Sequence, residues 1–157
     1  MIEIGKKAPA FRAMDQGGET VTLASKKGKW VVLYFYPKDD TPGCTVEACD
    51  FTAGIKAFEK LDAVVLGCSK DSVESHAKFA AKHRLKVCLL SDPEREILSA
   101  YGAWGEKTLY GKKVTGVIRS TVLVDPAGKV AHHWASVRAA GHAEQVRAKL
   151  EELRATA

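Results

Sequence analysis

Cysteine is scarce in this sequence, with 4 residues in a chain of 157, which is too few for a disulfide-stapled scaffold. Long apolar runs are also missing. The longest, Trp30–Tyr36, is far shorter than the ~18 residues that a membrane helix requires. No apolar segment typical of a secretion signal follows the first lysines. We therefore expect a cytoplasmic protein that does not associate with membranes.

No proline-rich, glycine-rich or low-complexity tract divides the chain, so we expect a single domain over residues 1–157. Hydrophobic residues make up 46% and charged residues 27%, which is typical of a globular protein. The net charge of +5 raises the possibility of a nucleic-acid partner. The basic residues form only short groups, at 26–29 and 78–86, beside predicted turns and helix ends. That arrangement favours a solvated surface, and we expect no nucleic-acid binding.

Three apolar runs predict buried strands: Trp30–Tyr36, Ala63–Cys68 and Val87–Ser91. A helix is predicted between the first two from the three- and four-residue spacing of apolar residues at 48, 51, 55 and 58. A second helix, opened by Asp71–Glu74, is predicted to run to about His83. Strands separated by helices, without tight turns, indicate parallel crossover connections.

The two ends of the sequence add further elements. Ala10–Met14 and Thr20–Leu23 predict an N-terminal β-hairpin, and Asp92-Pro93 predicts the start of a short helix that ends near Tyr101. A long strand is predicted over Val117–Val124, followed by a strand over Lys129–Trp134 and a final helix with apolar residues at 143, 146, 150 and 153. The order predicts an α/β fold with a central mixed sheet flanked by helices.

The four cysteines differ in their surroundings. Cys68 and Cys88 lie inside apolar strands, where a free cysteine behaves as a small hydrophobic residue. Cys44 instead follows a polar loop and falls in the first turn of a predicted helix, just past a strand. The unpaired amides and dipole of a helix N-terminus favour an anion, and hence the nucleophilic thiolate.

The residues around Cys44 carry a resemblance. The pattern Pro37-x-x-x-Thr41-x-x-Cys44 resembles the active-site motif of the peroxiredoxins, and its continuation through Glu47 to Cys49 is similar to the bacterioferritin-comigratory-protein (PrxQ) branch. Segments similar to later parts of that family follow in order, at 90–93, 104–107 and 119–121. The resemblance implies a thioredoxin-like fold. It also implies reduction of hydrogen peroxide and of organic (alkyl) hydroperoxides, with electrons from thioredoxin or a glutaredoxin-like protein.

The resemblance also implies roles for individual residues. Cys44 would be the peroxidatic nucleophile, and Thr41, the Cys44 amide and Arg119 would donate hydrogen bonds to the oxygens of the peroxide. These donors are needed because charge develops on the leaving oxygen. Pro37 would shield the sulfur from water. Substrate binding is expected to involve Pro37, Gly43 and Glu47.

Two of these roles compete with simpler interpretations. Glu47 would orient Arg119, or would be only a first-turn acid favoured by the helix dipole. Thr41 precedes Pro42, an order typical of a helix N-cap followed by the first helical residue. A threonine hydroxyl both donates and accepts, so it can cap the helix and still donate to substrate.

Cys49 is implied as the resolving cysteine, because the helix predicted over 72–83 contains none. In an intact helix the α-carbons of Cys44 and Cys49 lie roughly 8.6 Å apart, whereas a disulfide needs about 4.4–6.8 Å. The first turns must therefore unwind on oxidation. The alternatives are an external resolving thiol, or an internal one at Cys68 or Cys88.

Other classes of function fit less well. A thiol–disulfide oxidoreductase of the same fold usually carries Cys-x-x-Cys, but four residues separate Cys44 from Cys49. A zinc-binding protein is another alternative. The only close histidine pair is His132-His133, and this pair is poorly placed to bind zinc because adjacent strand residues point to opposite faces. We expect no metal and no cofactor. The PrxQ resemblance favours a monomer, and Trp104 and Tyr110 are candidates for shaping the peroxide pocket.

Overall fold

The computed structural model describes residues 2–156 and contains nine strands and five α-helices within them. The first half comprises β1 (Arg12–Met14), β2 (Thr20–Thr22), β3 (Trp30–Phe35), α1 (Pro42–Ala53), α2 (Ile55–Lys60), β4 (Ala63–Ser69), α3 (Val73–His83) and β5 (Cys88–Ser91). The second half comprises α4 (Glu96–Ala100), β6 (Trp104–Leu109), β7 (Lys112–Val117), β8 (Ser120–Val124), β9 (Val130–Trp134) and α5 (His142–Ala155).

Seven strands form one mixed sheet in the order β2-β1-β5-β4-β3-β8-β9. β3 lies in its interior, parallel to β4 and antiparallel to β8, while β4 is also parallel to β5. The N-terminal hairpin β1–β2 extends the sheet through an antiparallel contact between β1 and β5. The predicted mixed sheet with an N-terminal hairpin is therefore confirmed.

Both faces of the sheet are covered, which is why every residue of β3 is buried. Alternate β3 side chains enter two different cores. Val31, Leu33 and Phe35 pack on the side of α4, whereas Val32 and Tyr34 pack on the side of α1, α2, α3 and α5. The carboxyl end of β3 therefore leads into α1 from a rigid, fully buried strand.

Two predicted elements are each divided in the structure. The helix predicted across residues 48–58 is two helices, α1 and α2, which meet at Gly54. The long strand predicted over Val117–Val124 is interrupted, because β7 ends at Val117 and β8 begins at Ser120. Between them the Ile118 amide donates to the Ala103 carbonyl instead of a ladder partner. Arg119 therefore lies in a break between strands and not within one.

The start of α4 also differs from the prediction. Asp92 is not the N-cap residue; the helix begins at Glu96, after Arg95 with a φ of 61°. The Asp92 carboxylate nevertheless accepts hydrogen bonds from the Glu96 and Leu98 amides, at 3.0 and 2.9 Å, and so satisfies helix amides from farther away.

The hairpin formed by β6 and β7 was not predicted from the sequence. It turns at Tyr110 and Gly111, whose φ values of 52° and 78° are left-handed, as tight hairpin turns require. Within residues 2–156, no helix has the length and apolar character needed to span a membrane.

Candidate active site

Cys44 is the third residue of α1 and lies at the carboxyl end of β3, with 1% of its surface exposed. Pro42 occupies the first helical turn, as predicted, where its missing N–H costs nothing. The Thr45 amide already bonds to the Thr41 carbonyl at 2.8 Å, whereas amides in the first turn have no such intrahelical acceptor. The sulfur thus sits in the positive end of the α1 dipole.

Arg119 connects Cys44 to Glu47. Its Nη2 donates to the Cys44 Sγ at 3.3 Å, and its Nη1 donates to Glu47 Oε1 at 2.7 Å. The arginine comes from the break between β7 and β8, 75 residues from Cys44 along the chain. The two donors of one planar guanidinium are therefore divided between the sulfur and a carboxylate that fixes the plane.

Glu47 is fully buried. Burial raises the pKa of its carboxyl group from 4.5 to about 7, although Arg119 opposes the shift. The second oxygen, Oε2, has no hydrogen-bond partner among the residues that the structure describes. For Arg119, burial works against the charged form, but Glu47 and Cys44 outweigh it and raise the arginine pKa. The guanidinium is therefore a fixed positive charge beside the sulfur.

Gly43 leaves the space that Arg119 occupies. A Cβ built on Gly43 would lie 3.2 Å from the Arg119 Nη2, closer than ordinary van der Waals contact. Because Glu47 holds the guanidinium from the other side, the arginine has little freedom to withdraw. A glycine immediately before Cys44 therefore permits the close approach of Arg119.

Thr41 is the N-cap residue of α1, as predicted, but its side chain does not cap the helix. Its backbone is extended and precedes the helix, but its side chain makes no capping hydrogen bond. The hydroxyl instead donates to the Lys38 carbonyl at 2.8 Å and closes the loop on itself. Pro37, partly buried, begins this loop directly after the last buried residue of the strand region, Tyr36.

Cys49 lies in the same continuous helix as Cys44 and is partly buried. Burial raises the pKa of Cys68 and, together with Asp15, raises the pKa of Cys88 to about 11. These two thiols are thereby kept in their unreactive protonated form. All four cysteines are free in the structure.

The two aromatic candidates for the peroxide pocket lie in different environments. Trp104 is partly buried, with the Arg95 guanidinium 4.8 Å and the Lys70 Nζ 5.7 Å from its ring centroid. Tyr110 is 97% exposed at the tip of the β6–β7 hairpin. The structure thus separates Tyr110 from the buried residues of the site.

Comparisons with known proteins agree with this geometry. Residues 4–133 match the model of the AhpC/TSA family. The chain is 45% identical to peroxiredoxin Bcp of Bacillus subtilis over 152 residues, 97% of each chain. It is 47% identical to peroxiredoxin Bcp of Xanthomonas campestris over 135 residues, 86% of this chain and 84% of that one.

Solved structures give the same result. The bacterioferritin comigratory protein of Xanthomonas campestris superposes with a TM-score of 0.88 at 42% identity, covering 96% of this chain and 98% of that one. A mutant of PrxQ from Xylella fastidiosa gives a TM-score of 0.92 at 37% identity, covering 98% of both chains.

The chain therefore belongs to the AhpC/TSA family and has the thioredoxin-like fold of the peroxiredoxins. Within that family it is a member of the bacterioferritin-comigratory-protein, or PrxQ, subfamily, as the sequence predicted. It is accordingly a peroxidase that works by cysteine chemistry, with a peroxide as substrate and a thiol as reductant.

Proposed function

We propose that the protein reduces hydrogen peroxide and alkyl hydroperoxides with Cys44 as the peroxidatic thiolate. The observation that carries the proposal is the Arg119 guanidinium, which donates at 3.3 Å to a sulfur at a helix N-terminus. The alkyl peroxide reduction activity of the Xanthomonas campestris protein supports the same substrate class.

In the proposed first step the Cys44 thiolate attacks one peroxide oxygen and the O–O bond breaks. Sulfur keeps that oxygen as a sulfenic acid, and the other oxygen leaves as hydroxide or alkoxide and takes a proton to become water or an alcohol. In this proposal Arg119, which already donates to the Cys44 sulfur, and the Cys44 amide donate to the oxygens as charge develops. Thr41 joins them when its hydroxyl rotates away from the Lys38 carbonyl.

The remaining residues support this step through their positions. Glu47 fixes the guanidinium through the 2.7 Å hydrogen bond, and Gly43 leaves room for it. Pro37, which begins the loop before Cys44, would shield the sulfur from water. Peroxide would thus enter a site shielded from water, in which the hydrogen-bond donors are already in place for the reaction.

In the proposed second step Cys49 condenses with the Cys44 sulfenic acid, which forms a disulfide and releases water. Both residues lie in the intact helix α1. Its geometry holds their α-carbons roughly 8.6 Å apart, too far for a disulfide. The N-terminal part of α1 must therefore unwind. Unwinding would also expose the disulfide to a dithiol such as thioredoxin, which would take up the oxidising equivalents.

The proposed cycle needs no metal and no organic cofactor, because the sulfur alone carries the two electrons. It also needs no second subunit, since Cys44, Cys49 and Arg119 come from one chain. We therefore propose a single-domain monomer over residues 1–157. We also propose a cytoplasmic location, because a thioredoxin-type reductant works in a reducing compartment.

The test is peroxide turnover with a thioredoxin system, comparing wild type with Cys44→Ser and Cys49→Ser, with Cys88→Ser as the matched control. Cys44→Ser should abolish turnover, Cys49→Ser should allow one oxidation per chain without recycling by thioredoxin, and Cys88→Ser should resemble wild type. Turnover that survives in Cys44→Ser would refute the peroxidatic role. An intramolecular disulfide found by mass spectrometry in peroxide-treated Cys49→Ser would refute Cys49 as the resolving residue.

A further inference from the structure

A buried polar cluster lies behind the loop that precedes Cys44, and no step above uses it. Its centre is His76 of α3, which is fully buried. The ring Nδ1 lies 2.7 Å from Asp39 Oδ2, and Nε2 lies 2.9 Å from the Leu90 carbonyl oxygen. A carbonyl only accepts, so Nε2 carries a hydrogen. The ring therefore connects strand β5 to the loop before the peroxidatic cysteine.

The loop contacts the His76 ring through the carboxyl group of Asp39. Besides the His76 ring it faces the Tyr36 hydroxyl, which donates to Oδ1 at 2.6 Å, and the Ser75 hydroxyl, which donates to Oδ2 at 2.8 Å. The backbone amide of Asp39 donates to Asp71 Oδ2 at 2.9 Å. Asp39 is thus tied to the end of the β3 segment, to the β4–α3 connection and to α3.

Three side chains of this cluster, Asp39, Asp71 and His76, are close enough together to suggest a metal site. Their hydrogen bonds argue against it. His76 Nε2 already donates to a carbonyl, its Nδ1 is engaged with Asp39, and both Asp39 oxygens accept from hydroxyl groups. The cluster is better described as a saturated hydrogen-bond network than as a set of free ligands.

The same loop has a second, exposed attachment to α3. Asp40 accepts from Lys82 Nζ at 2.7 Å and lies 2.8 Å from His83 Nε2. Exposed ion pairs of this kind contribute little because water and salt screen them. The buried bonds of Asp39 act in a low dielectric and lose more when one partner is removed. The position of the loop is therefore set by the buried bonds of Asp39, including its contact with His76, and not by the Asp40 pairs.

We propose that His76 is a positioning residue for the peroxide reaction: its ring fixes Asp39, and with it the loop 37–41, so that Cys44 and its hydrogen-bond donors meet peroxide in the reactive arrangement. The proposal rests on the proposed function. Pro37 lies two residues before the anchored residue and Thr41 two residues after it, so a loose anchor would displace both. Because the anchor precedes α1, the helix can unwind after Cys44 while the loop stays in place.

The experiment uses the full-length reduced protein and stopped-flow fluorescence with hydrogen peroxide, which separates oxidation of Cys44 from disulfide formation. His76→Phe keeps the ring volume and removes both ring nitrogens. His76→Asn retains a side-chain amide, which can donate or accept, near the position of Nδ1. His83→Asn, on the same helix and facing the exposed Asp40, is the matched control.

We expect His76→Phe to slow the first step by about 10- to 100-fold, as misplaced reacting groups do, while disulfide formation is not slowed. His76→Asn should recover part of the loss, and His83→Asn should stay within about 2-fold of wild type, as exposed pairs contribute little. Amide hydrogen exchange should increase in residues 37–41 of His76→Phe but not in β3 and β4. If Cys44 in His76→Phe is oxidised at the wild-type rate, or if Cys44 oxidation and disulfide formation are slowed equally, the proposal is overturned.

A measurement on the wild type keeps the proposal testable if the variants do not fold. The His76 Nε2 proton, buried and bonded to Leu90, should appear in NMR spectra as a ring proton protected from exchange with water. Rapid exchange of that proton would refute the anchor. This result is distinct from a failure of the proposed function. In that case peroxide turnover would survive in Cys44→Ser, whether or not the His76 ring proton exchanges with water.

Discussion

The pH dependence of folding stability should reveal the buried carboxyl group of Glu47. In the folded protein its pKa is raised from 4.5 to about 7 by burial, with Arg119 opposing the shift. Below about pH 4.5 both the folded and the unfolded chain hold the proton, and the group costs nothing. As the pH rises the unfolded chain ionises first, so stability falls, and the loss levels off above about pH 7.

The size of the effect follows from the two pKa values. Between about pH 5 and pH 7.5, linkage gives a loss of about 2 kcal/mol in the free energy of unfolding. Because Glu47 is fully buried, solvent screening does not reduce this figure. Glu47→Gln cannot ionise but keeps an oxygen that accepts from Arg119 Nη1. The variant should therefore gain about 2 kcal/mol relative to its parent over the same pH range.

The assay is urea denaturation at both pH values, with every variant in a Cys44→Ser background, which removes the neighbouring thiol. Glu59→Gln, at an exposed position of α2, is the control for removing a carboxylate. It should show the same difference from its parent at both pH values. If Glu47→Gln also differs from its parent by an equal amount at both pH values, Glu47 does not titrate in this range and the reasoning is refuted.

Three further predictions test the site, the core and the oxidised state. Arg119→Ala should slow the reaction of Cys44 with peroxide by about 10²- to 10³-fold in stopped flow, because a preorganised donor is lost; a change below about 3-fold would contradict that role. Gly67→Ala should lower the free energy of unfolding in urea by about 1–3 kcal/mol, because its Cβ would lie 2.7 Å from the buried Tyr34 ring. An unchanged urea midpoint would contradict this and show that the core rearranges to accept the methyl group. Oxidation should increase amide hydrogen exchange in residues 44–51 but not in α3, and unchanged protection in a disulfide-linked sample would refute unwinding.

Local pattern was sufficient for the central part of the fold. The strands β3, β4 and β5 are short apolar runs, and a strand covered on both faces has to be apolar throughout. The position of Cys44 in the first helical turn was also evident, since Pro42 is suited to the first residue of a helix and poorly suited to its interior. Each of these features depends on residues a few positions apart.

The break at Ile118–Arg119 could not be found in this way. Residues 117–124 alternate as a strand would, and only the Ala103 carbonyl, which takes the Ile118 amide, shows why the ladder stops. The β6–β7 hairpin was missed for a related reason. Its residues are exposed or partly buried except for Val117, so they show no buried face, and only the turn at Tyr110-Gly111 marks it.

The family, the mixed sheet and a cysteine at a helix N-terminus could all be predicted before folding was considered, because motif spacing and hydrophobic periodicity are properties of neighbouring residues. The family resemblance implied that Arg119 serves Cys44 and raised Glu47 as its orienting partner, but only the folded chain shows how these groups are arranged. The guanidinium on its sulfur comes from 75 residues away, and the ring that faces Asp39 comes from 37 residues away. Contacts at such separations exist only once the sheet has brought its strand ends together, since a local stretch of sequence carries no record of them.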